Sequence, residues 1–303
     1  MNRLPTGLQG RIESGKTILL AEIHPPQGGD PAPLREAARR YAGKVHAAGV
    51  SDNRDRVAMS ALAAASVLKA EGLEPILHVT TRDRNRIALV SDALGAQALG
   101  IRNLLCTSGN HQTLGTFRAA RNVYDIDAVQ LLQAYARLES DGALLGERGI
   151  EGAGPFCLGA VASPDADPPD LQLSRLAKKA RAGAKFLITQ PVYDVDRFEA
   201  WWKEVSSRGL HEQTAILAGI HPLSDTHFGQ AGSRPQPGIP DSQAARLASM
   251  SDPGAWRDTA IQIALETVHR LSNLRGIRGF CISANGDQEA ALQIIEESGL
   301  AGD

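Results

Sequence analysis

The segment ILLAEIHPP, residues 18–26, ends an apolar run on an acid, Glu22, followed by His24 and two prolines. A carboxyl group at the end of a hydrophobic strand is a candidate proton donor or acceptor, because its surroundings can shift its proton affinity. Taken alone it reads equally well as a solvated strand end, or as the partner of an arginine in 82-RDRNR-86. Other polar side chains stand in the same relation to apolar runs. They are Asp52 and Asn53 in GVSDN, His78 and Thr80 in EPILHVT, Ser108 in NLLCTS with Asn110 two residues on, Gln190 in KFLITQ, His221 after TAILAGI and Ser283 in GFCIS. One acid converging with amides, hydroxyls and imidazoles, without a nucleophile triad, suits a polar heteroaromatic ligand and a single proton transfer.

Several neighbouring signals carry less. Arg82, Arg84 and Arg86 would open a helix against its macrodipole, which is better explained by a nearby anion such as a cofactor phosphate. Lys178 and Lys179 sit in PDLQLSRLAKKARAGA, where periodicity alone makes them a solvent-facing stripe. Gln190 closes its run as ITQP, an amide able to donate and accept toward a planar ligand edge. His221 and His227 flank a loop containing Asp225, but no helical histidine pair or Cys/His spacing occurs, so no metal is expected. The stretch 149-GIEGAG-154 follows no strand and fails the dinucleotide fingerprint; neither a G-x-S-x-G elbow nor a Walker loop is present.

Positioning these groups requires a repeated unit. Strand candidates are TILLAEI (17–23), GVSDN (49–53), EPILHVT (74–80), NLLCTS (103–108), FCLGAVA (156–162), KFLITQ (185–190), TAILAGI (214–220) and GFCIS (279–283). Between them lie the helix candidates PLREAARRYAGKVHAAG, RVAMSALAAASVLKAEG, RNRIALVSDALGAQALG, IDAVQLLQAYARLESDG, PDLQLSRLAKKARAGA, DVDRFEAWWKEVSSRG, one long IPDSQ…HRLSN stretch and DQEAALQIIEESG. Strands without period-two alternation, each followed by a helix, are parallel and covered on their outer side. Eight nearly equal units predict an α/β fold, a (β/α)8 TIM barrel over residues 1–303 as one domain, rather than an open doubly wound sheet. Loop insertions are expected near 109–124 and 225–240, both after strand C-termini, the end of such a barrel that carries its active site.

Composition narrows the partners. A formal charge of −2 gives no electrostatic reason to expect nucleic acid or an anionic membrane. The three cysteines lie in or beside apolar runs without paired spacing, which predicts reduced buried thiols and a cytoplasmic setting. The N-terminus lacks an apolar h-region, and no uninterrupted apolar stretch approaches the roughly 20 residues needed to cross a bilayer. Small molecules are the expected partners, and self-association is left open.

AEIHPP (21–26), SDN (51–53), HVTTRDRN (78–85), ALGIRNLLCTSGN (98–110), NVYDID (122–127), SPDADPPDLQLSRLAKKARAGAKFLITQPVYD (163–194) and AGIHPLSD (218–225) together resemble the methylenetetrahydrofolate reductase family, in its bacterial FAD-dependent form. The similarity runs in order from about residue 17 to 283, and the 163–194 block is its most specific part. It implies a barrel holding FAD, with NAD(P)H as co-substrate, that converts 5,10-methylenetetrahydrofolate to 5-methyltetrahydrofolate in one-carbon metabolism and methionine biosynthesis. By position, Glu22 matches the general acid that protonates the folate nitrogen as its five-membered ring opens. Gln190 matches a pterin contact, His78 and Thr80 a flavin-contacting segment, and Lys178 and Lys179 a basic pair near the FAD phosphates. The resemblance thus reverses the periodicity reading of the lysines.

Two positions depart from the family. Its fourth strand ends in Gly-Asp, whereas Gly109-Asn110 stands here; Asn110, in the catalytic and pterin-contacting position, can hydrogen-bond but cannot oppose a cation with charge. That loss near a partly desolvated centre costs roughly 1–3 kcal/mol of transition-state stabilisation. Ser108, in the cofactor-binding position, stands where some relatives carry an arginine. Two alternatives follow: a flavin-free enzyme of the same barrel passing hydride directly from NADH, and a non-catalytic folate-binding barrel.

Overall fold

The computed structural model describes residues 7–144, 147–150, 154–224, 238–284 and 286–300. Eight parallel strands close into a barrel: β1 (Ile18–Ile23), β2 (Ala47–Val50), β3 (Pro75–Thr80), β4 (Asn103–Thr107), β7 (Cys157–Ala162), β8 (Phe186–Pro191), β9 (Ala215–Ile220) and β10 (Gly279–Ser283). β1 pairs with both β2 and β10, which completes the ring. The short strands β5 (Ala143–Leu144) and β6 (Glu147–Arg148) form a separate antiparallel ribbon. This is the (β/α)8 TIM barrel that the strand spacing predicts.

The strand-to-strand returns run through α2 (Ala32–Tyr41), α3 (Ala61–Ala70), α4 (Arg86–Ala98), α5 (Ala128–Asp141), α6 (Pro169–Arg181), α7 (Val195–Ser207) and α10 (Pro253–Ser272), with α11 (Gln288–Glu297) last. Short side chains start many of them. Asn85, Asp194, Asp252 and Asp287 each accept a first-turn N–H, and Asp127 forms a capping box with Gln130.

Successive strand residues face opposite sides. Leu19, Ala21 and Ile23 pack outward among helix residues, while Ile18 and Leu20 meet Ile76, Leu105, Cys157, Phe186 and Leu217 inside the barrel. Leu8 of α1 (Gly7–Glu13) joins that interior cluster, its N–H held by Glu74 just before β3. Because Ile18 and Leu20 point inward, Glu22 does too, at the strand's C-terminal end.

Several sequence expectations are corrected in detail. GVSDN is not a strand over 49–53: β2 ends at Val50, and Ser51–Asn53 form the exit loop. The helix expected over RVAMSALAAASVLKAEG begins only at Ala61, and the one expected over PLREAARRYAGKVHAAG stops at Tyr41 because its tail is β2. The long IPDSQ…HRLSN stretch is two helices, α9 (Asp241–Ala248) and α10, separated where Asp252 caps and Pro253 starts the second. Of the insertion near 225–240, residues 225–237, with Asp225 and His227, lie outside the described residues. Residues 109–124 form the loop between β4 and α5 and contain one short 3-10 turn, Gln112–Leu114.

All three cysteines are buried and free, and burial pushes the Cys157 thiol up to about 12. Among the described residues no His/Cys/Asp/Glu group could hold a metal ion, and no helix is long and apolar enough to cross a membrane.

Candidate functional site

The C-terminal mouth of the barrel encloses about 890 Å³ of space continuous with solvent, bordered by Glu22, Asp52, His78, Thr80, Asn110, Gln190 and His221. Glu22 is half-buried on its wall, and its carboxylate forms no hydrogen bond or ion pair among the described residues. It therefore does not pair with 82-RDRNR-86.

Its nearest electrostatic company is imidazole. Glu22 is in register with Gly49 on β2, and a Cβ on Gly49 would lie 2.6 Å from His78 Nε2. The missing side chain lets the His78 ring, from β3, lie across β2 toward Glu22. His78 Nε2 is buried without a hydrogen-bond partner, as is Ser283 Oγ, in register with Glu22 on the other side. On the next loop, His24 Nδ1 lies 2.7 Å from Ser51 Oγ. Burial alone raises the Glu22 carboxyl, but His78, His24, Arg54 and His221 together outweigh it and hold it at about 2. Burial also lowers His24 and His78, with Glu22 opposing. The lowering leaves Glu22 a carboxylate near neutral pH.

The arginines are corrected by the structure. The anions that hold them are the protein's own carboxylates. Asp52, with its side chain 1% exposed, takes Arg84 Nη2 on both oxygens at 2.7 and 2.8 Å and also accepts the Thr80 N–H. Arg84 reaches Asp92 as well, and Arg86 is held by Asp125. Arg82 pairs with Asp83 through two nitrogens and donates to the backbone carbonyls of Asn53 and Asn110 at 2.7 and 3.0 Å. It thereby ties the loops after β2 and β4 together. Gly109 follows the same logic: its φ is +77°, and a Cβ there would meet Thr80 Cγ2 at 2.4 Å.

Gln190 reaches the mouth through an irregularity. The β8–β9 register breaks between Ile188 and Pro191, with Thr189 Oγ1 accepting the Gly219 N–H and donating to the Gln190 carbonyl. Gly219 permits this, since its Cβ would lie 2.5 Å from the Thr189 carbonyl oxygen. Gln190 is consequently exposed at a position where the strand would otherwise stay buried. Asn110 is exposed on the facing rim, its backbone held by Arg82.

The remaining expected residues divide. Thr80 is buried beside the mouth. Ser108 turns away to accept the Ala128 N–H at the start of α5. Lys179 is half-buried and donates to the Val161 carbonyl at 2.6 Å; burial lowers its ammonium. Lys178 is exposed, with no protein partner among the described residues.

The family model described as methylenetetrahydrofolate reductase matches residues 8–299. The chain belongs to the methylenetetrahydrofolate reductase family. Among curated proteins, it is 28% identical to methylenetetrahydrofolate reductase 2 of Saccharomyces cerevisiae over 233 residues, 74% of this chain and 36% of the yeast protein. It is 25% identical to a probable methylenetetrahydrofolate reductase (NADPH) of Caenorhabditis elegans, over 56% of this chain and 24% of that protein. The chain thus spans about a third or less of the length of these relatives. Among solved structures, a Clostridium thermocellum protein described as binding two copies of 5-methyl-5,6,7,8-tetrahydrofolic acid superposes with a TM-score of 0.65 at 14% identity, covering 96% of this chain and 98% of that one. The Bacillus cereus spore cortex-lytic enzyme SleL superposes at 0.52 with 11% identity, over 93% of this chain and 74% of SleL. What these two structures share with the reductase-family chain is the barrel.

Three features of this methylenetetrahydrofolate reductase family site escaped sequence reasoning. Gly49 and Gly219 act by lacking a side chain, which leaves no polar signal, and Arg82 was read as a ligand contact although it clamps two loops. A glycine next to an inward-facing position was the available clue at Gly49.

Proposed function

We propose that this chain is a methylenetetrahydrofolate reductase that interconverts 5,10-methylenetetrahydrofolate and 5-methyltetrahydrofolate with FAD and NAD(P)H. The observation that carries the reading is Glu22: an acid without a protein partner among the described residues, facing inward at the end of β1 in the open mouth of the barrel, whose lining also carries the amides of Asn110 and Gln190.

Glu22 moves the proton. Imidazoles and Arg54 keep it ionised in the open mouth; a flat ligand covering the mouth excludes water and strengthens the burial that raises it. Once raised, the carboxylate takes up a proton from solvent and delivers it to the folate nitrogen as the ring opens, or takes that proton back in the reverse direction. Gln190 and Asn110 orient the pterin through donors and acceptors.

His78 Nε2, orphaned in the mouth with Thr80, would meet the flavin ring, and the exposed Lys178 ammonium on α6, without a protein partner among the described residues, would be the cation for its phosphates; Lys179 and Ser108 would have to give up the Val161 carbonyl and the Ala128 N–H to join them. FAD, when bound, would relay hydride between nicotinamide and folate. One observation favours a second reading in which no flavin takes part: Arg82, Arg84 and Arg86 are already neutralised by aspartates, leaving few cations for a diphosphate.

The absorption spectrum of the purified protein, before and after anaerobic 5-methyltetrahydrofolate, tests both. A flavin band that bleaches supports the first; no band, with NADH-dependent activity retained, supports the second. Inactivity with either reductant refutes both.

A further inference from the structure

An acid beneath a covering ligand must be supplied with its proton. Breaking the carbon–nitrogen bond leaves the electron pair on the folate nitrogen, which takes a proton from Glu22, while the carbon takes the hydride that NAD(P)H supplies. One proton is therefore consumed in each turnover. A ligand over the mouth raises Glu22 by shutting water out, so the proton that Glu22 then takes up needs an entrance other than the mouth.

The neighbouring level of the wall contains a path. Glu22 points inward at the end of β1, and the pairing with β2 continues past it, where the Ser51 N–H donates to the Ile23 carbonyl at 3.2 Å. His24 and Ser51 therefore stand side by side one level above Glu22 and Gly49, and His24 Nδ1 lies 2.7 Å from Ser51 Oγ. Ser51 is 5% exposed and borders the mouth together with Glu22; His24 does not border it, yet keeps part of its surface in solvent. The pair thus leads from solvent outside the mouth to the wall that carries Glu22. A hydroxyl can donate and accept at once, so Ser51 can receive a proton from the imidazole while passing its own onward.

The surroundings suit transit rather than storage. Pro25 and Pro26 fix the chain after His24, and the Pro26 carbonyl accepts the Met59 N–H at 2.8 Å. The charged groups acting on His24 are Glu22 of β1 and Arg54, Asp55 and Arg56 of the β2 exit loop; the arginines oppose a further positive charge, and burial lowers the imidazole as well. A ring so placed gives up a captured proton readily.

We propose that His24 and Ser51 form the proton entrance of this site. His24 takes a proton from solvent, its Nδ1 proton moves to Ser51 Oγ, and the Ser51 hydroxyl proton moves to Glu22, which leaves His24 neutral and Ser51 a hydroxyl again. Exchange of the ring protons with solvent resets His24. It is a positioning residue, acting on the folate only through Glu22, and the proposal rests on the reading of Glu22 as the acid of a folate reductase.

The test measures reduction of 5,10-methylenetetrahydrofolate by the holoenzyme in weak buffer near neutral pH. In His24→Ala, kcat is expected to fall about ten- to a hundredfold, with KM and the calorimetric affinity for 5-methyltetrahydrofolate unchanged. Added imidazole, which fits the space the side chain leaves, should restore most of the loss, an effect that a merely structural role would not give. Ser51→Ala removes the second member of the relay and should lower kcat in the same way. An unchanged kcat in either variant, or a loss in His24→Ala that imidazole does not restore, refutes the entrance while Glu22 stands as the acid. A wild-type chain without turnover, or a Glu22→Gln variant with normal turnover, overturns the reading of Glu22 and the entrance with it.

Discussion

Glu22→Gln preserves shape and deletes one charge from a cluster whose members set one another's proton affinity. The drop of Glu22 from 4.5 to about 2 is worth about 3 kcal/mol of attraction to His78, His24, Arg54 and His221, net of burial. Its folded pKa lies below the unfolded one, so this contribution is present above about pH 4.5 and is lost as pH falls toward about 2. His24 and His78 are lowered from 6.5, and Glu22 is what raises them against burial. Without it both should fall further, so the variant should lose more stability than wild type as pH drops below 6.5. Between pH 4.5 and 2 the order reverses, because only the wild type gives up the Glu22 contribution. Urea unfolding followed by tryptophan fluorescence from pH 7 to 3 reads the stability, and proton NMR of the histidine rings reads the imidazoles, with His78→Gln assigning one resonance. Parallel stability curves, together with an unmoved His78 titration, would refute the electrostatic cluster.

Gly49→Ala places a methyl 2.6 Å from His78 Nε2, so it should displace the ring, cost about 1–3 kcal/mol and let the Glu22 carboxyl rise; an unchanged His78 titration would show that the ring does not depend on that space. Asp52→Asn leaves Arg84, 21% exposed, with only Asp92 at 3.3 Å, and should lower unfolding stability by about 2–4 kcal/mol; a loss under 1 kcal/mol by urea midpoint contradicts the buried-pair argument. Asn110→Asp adds the family's charge at an exposed rim position, where solvent screening keeps the gain near 1 kcal/mol, about fivefold in turnover. A slower variant would mean that the asparagine suits the chemistry proposed for this chain.

Much of the fold was legible because hydrophobic runs record burial directly. Seven of the eight barrel strands lie where apolar runs predicted them; β2 overlaps its expected run only at Gly49 and Val50, because Ala47 and Ala48 read as a helix tail, alanine suiting either structure. Glu22 was legible as a candidate because it is an acid that ends an apolar run; that it points inward follows from Ile18 and Leu20 packing inside the barrel.

What the chain order alone could not decide was which charged and polar groups find each other. Sequence suggested that Arg82, Arg84 and Arg86 open the fourth helix; only Arg86 does, Arg82 and Arg84 lie in the turn before its Asn85 cap, and barrel closure brings Asp52 to Arg84 and Asp125 to Arg86 from 32 and 39 residues away. Sequence also determined that an acid ends the first strand. That this acid sits beside His78 depends on the β1–β2–β3 register and on the empty space at Gly49, and both are products of parallel strands packed side by side around a ring. Local residue type specifies the elements; distance-dependent effects such as ion pairing, steric exclusion and proton affinity exist only once the ring has closed.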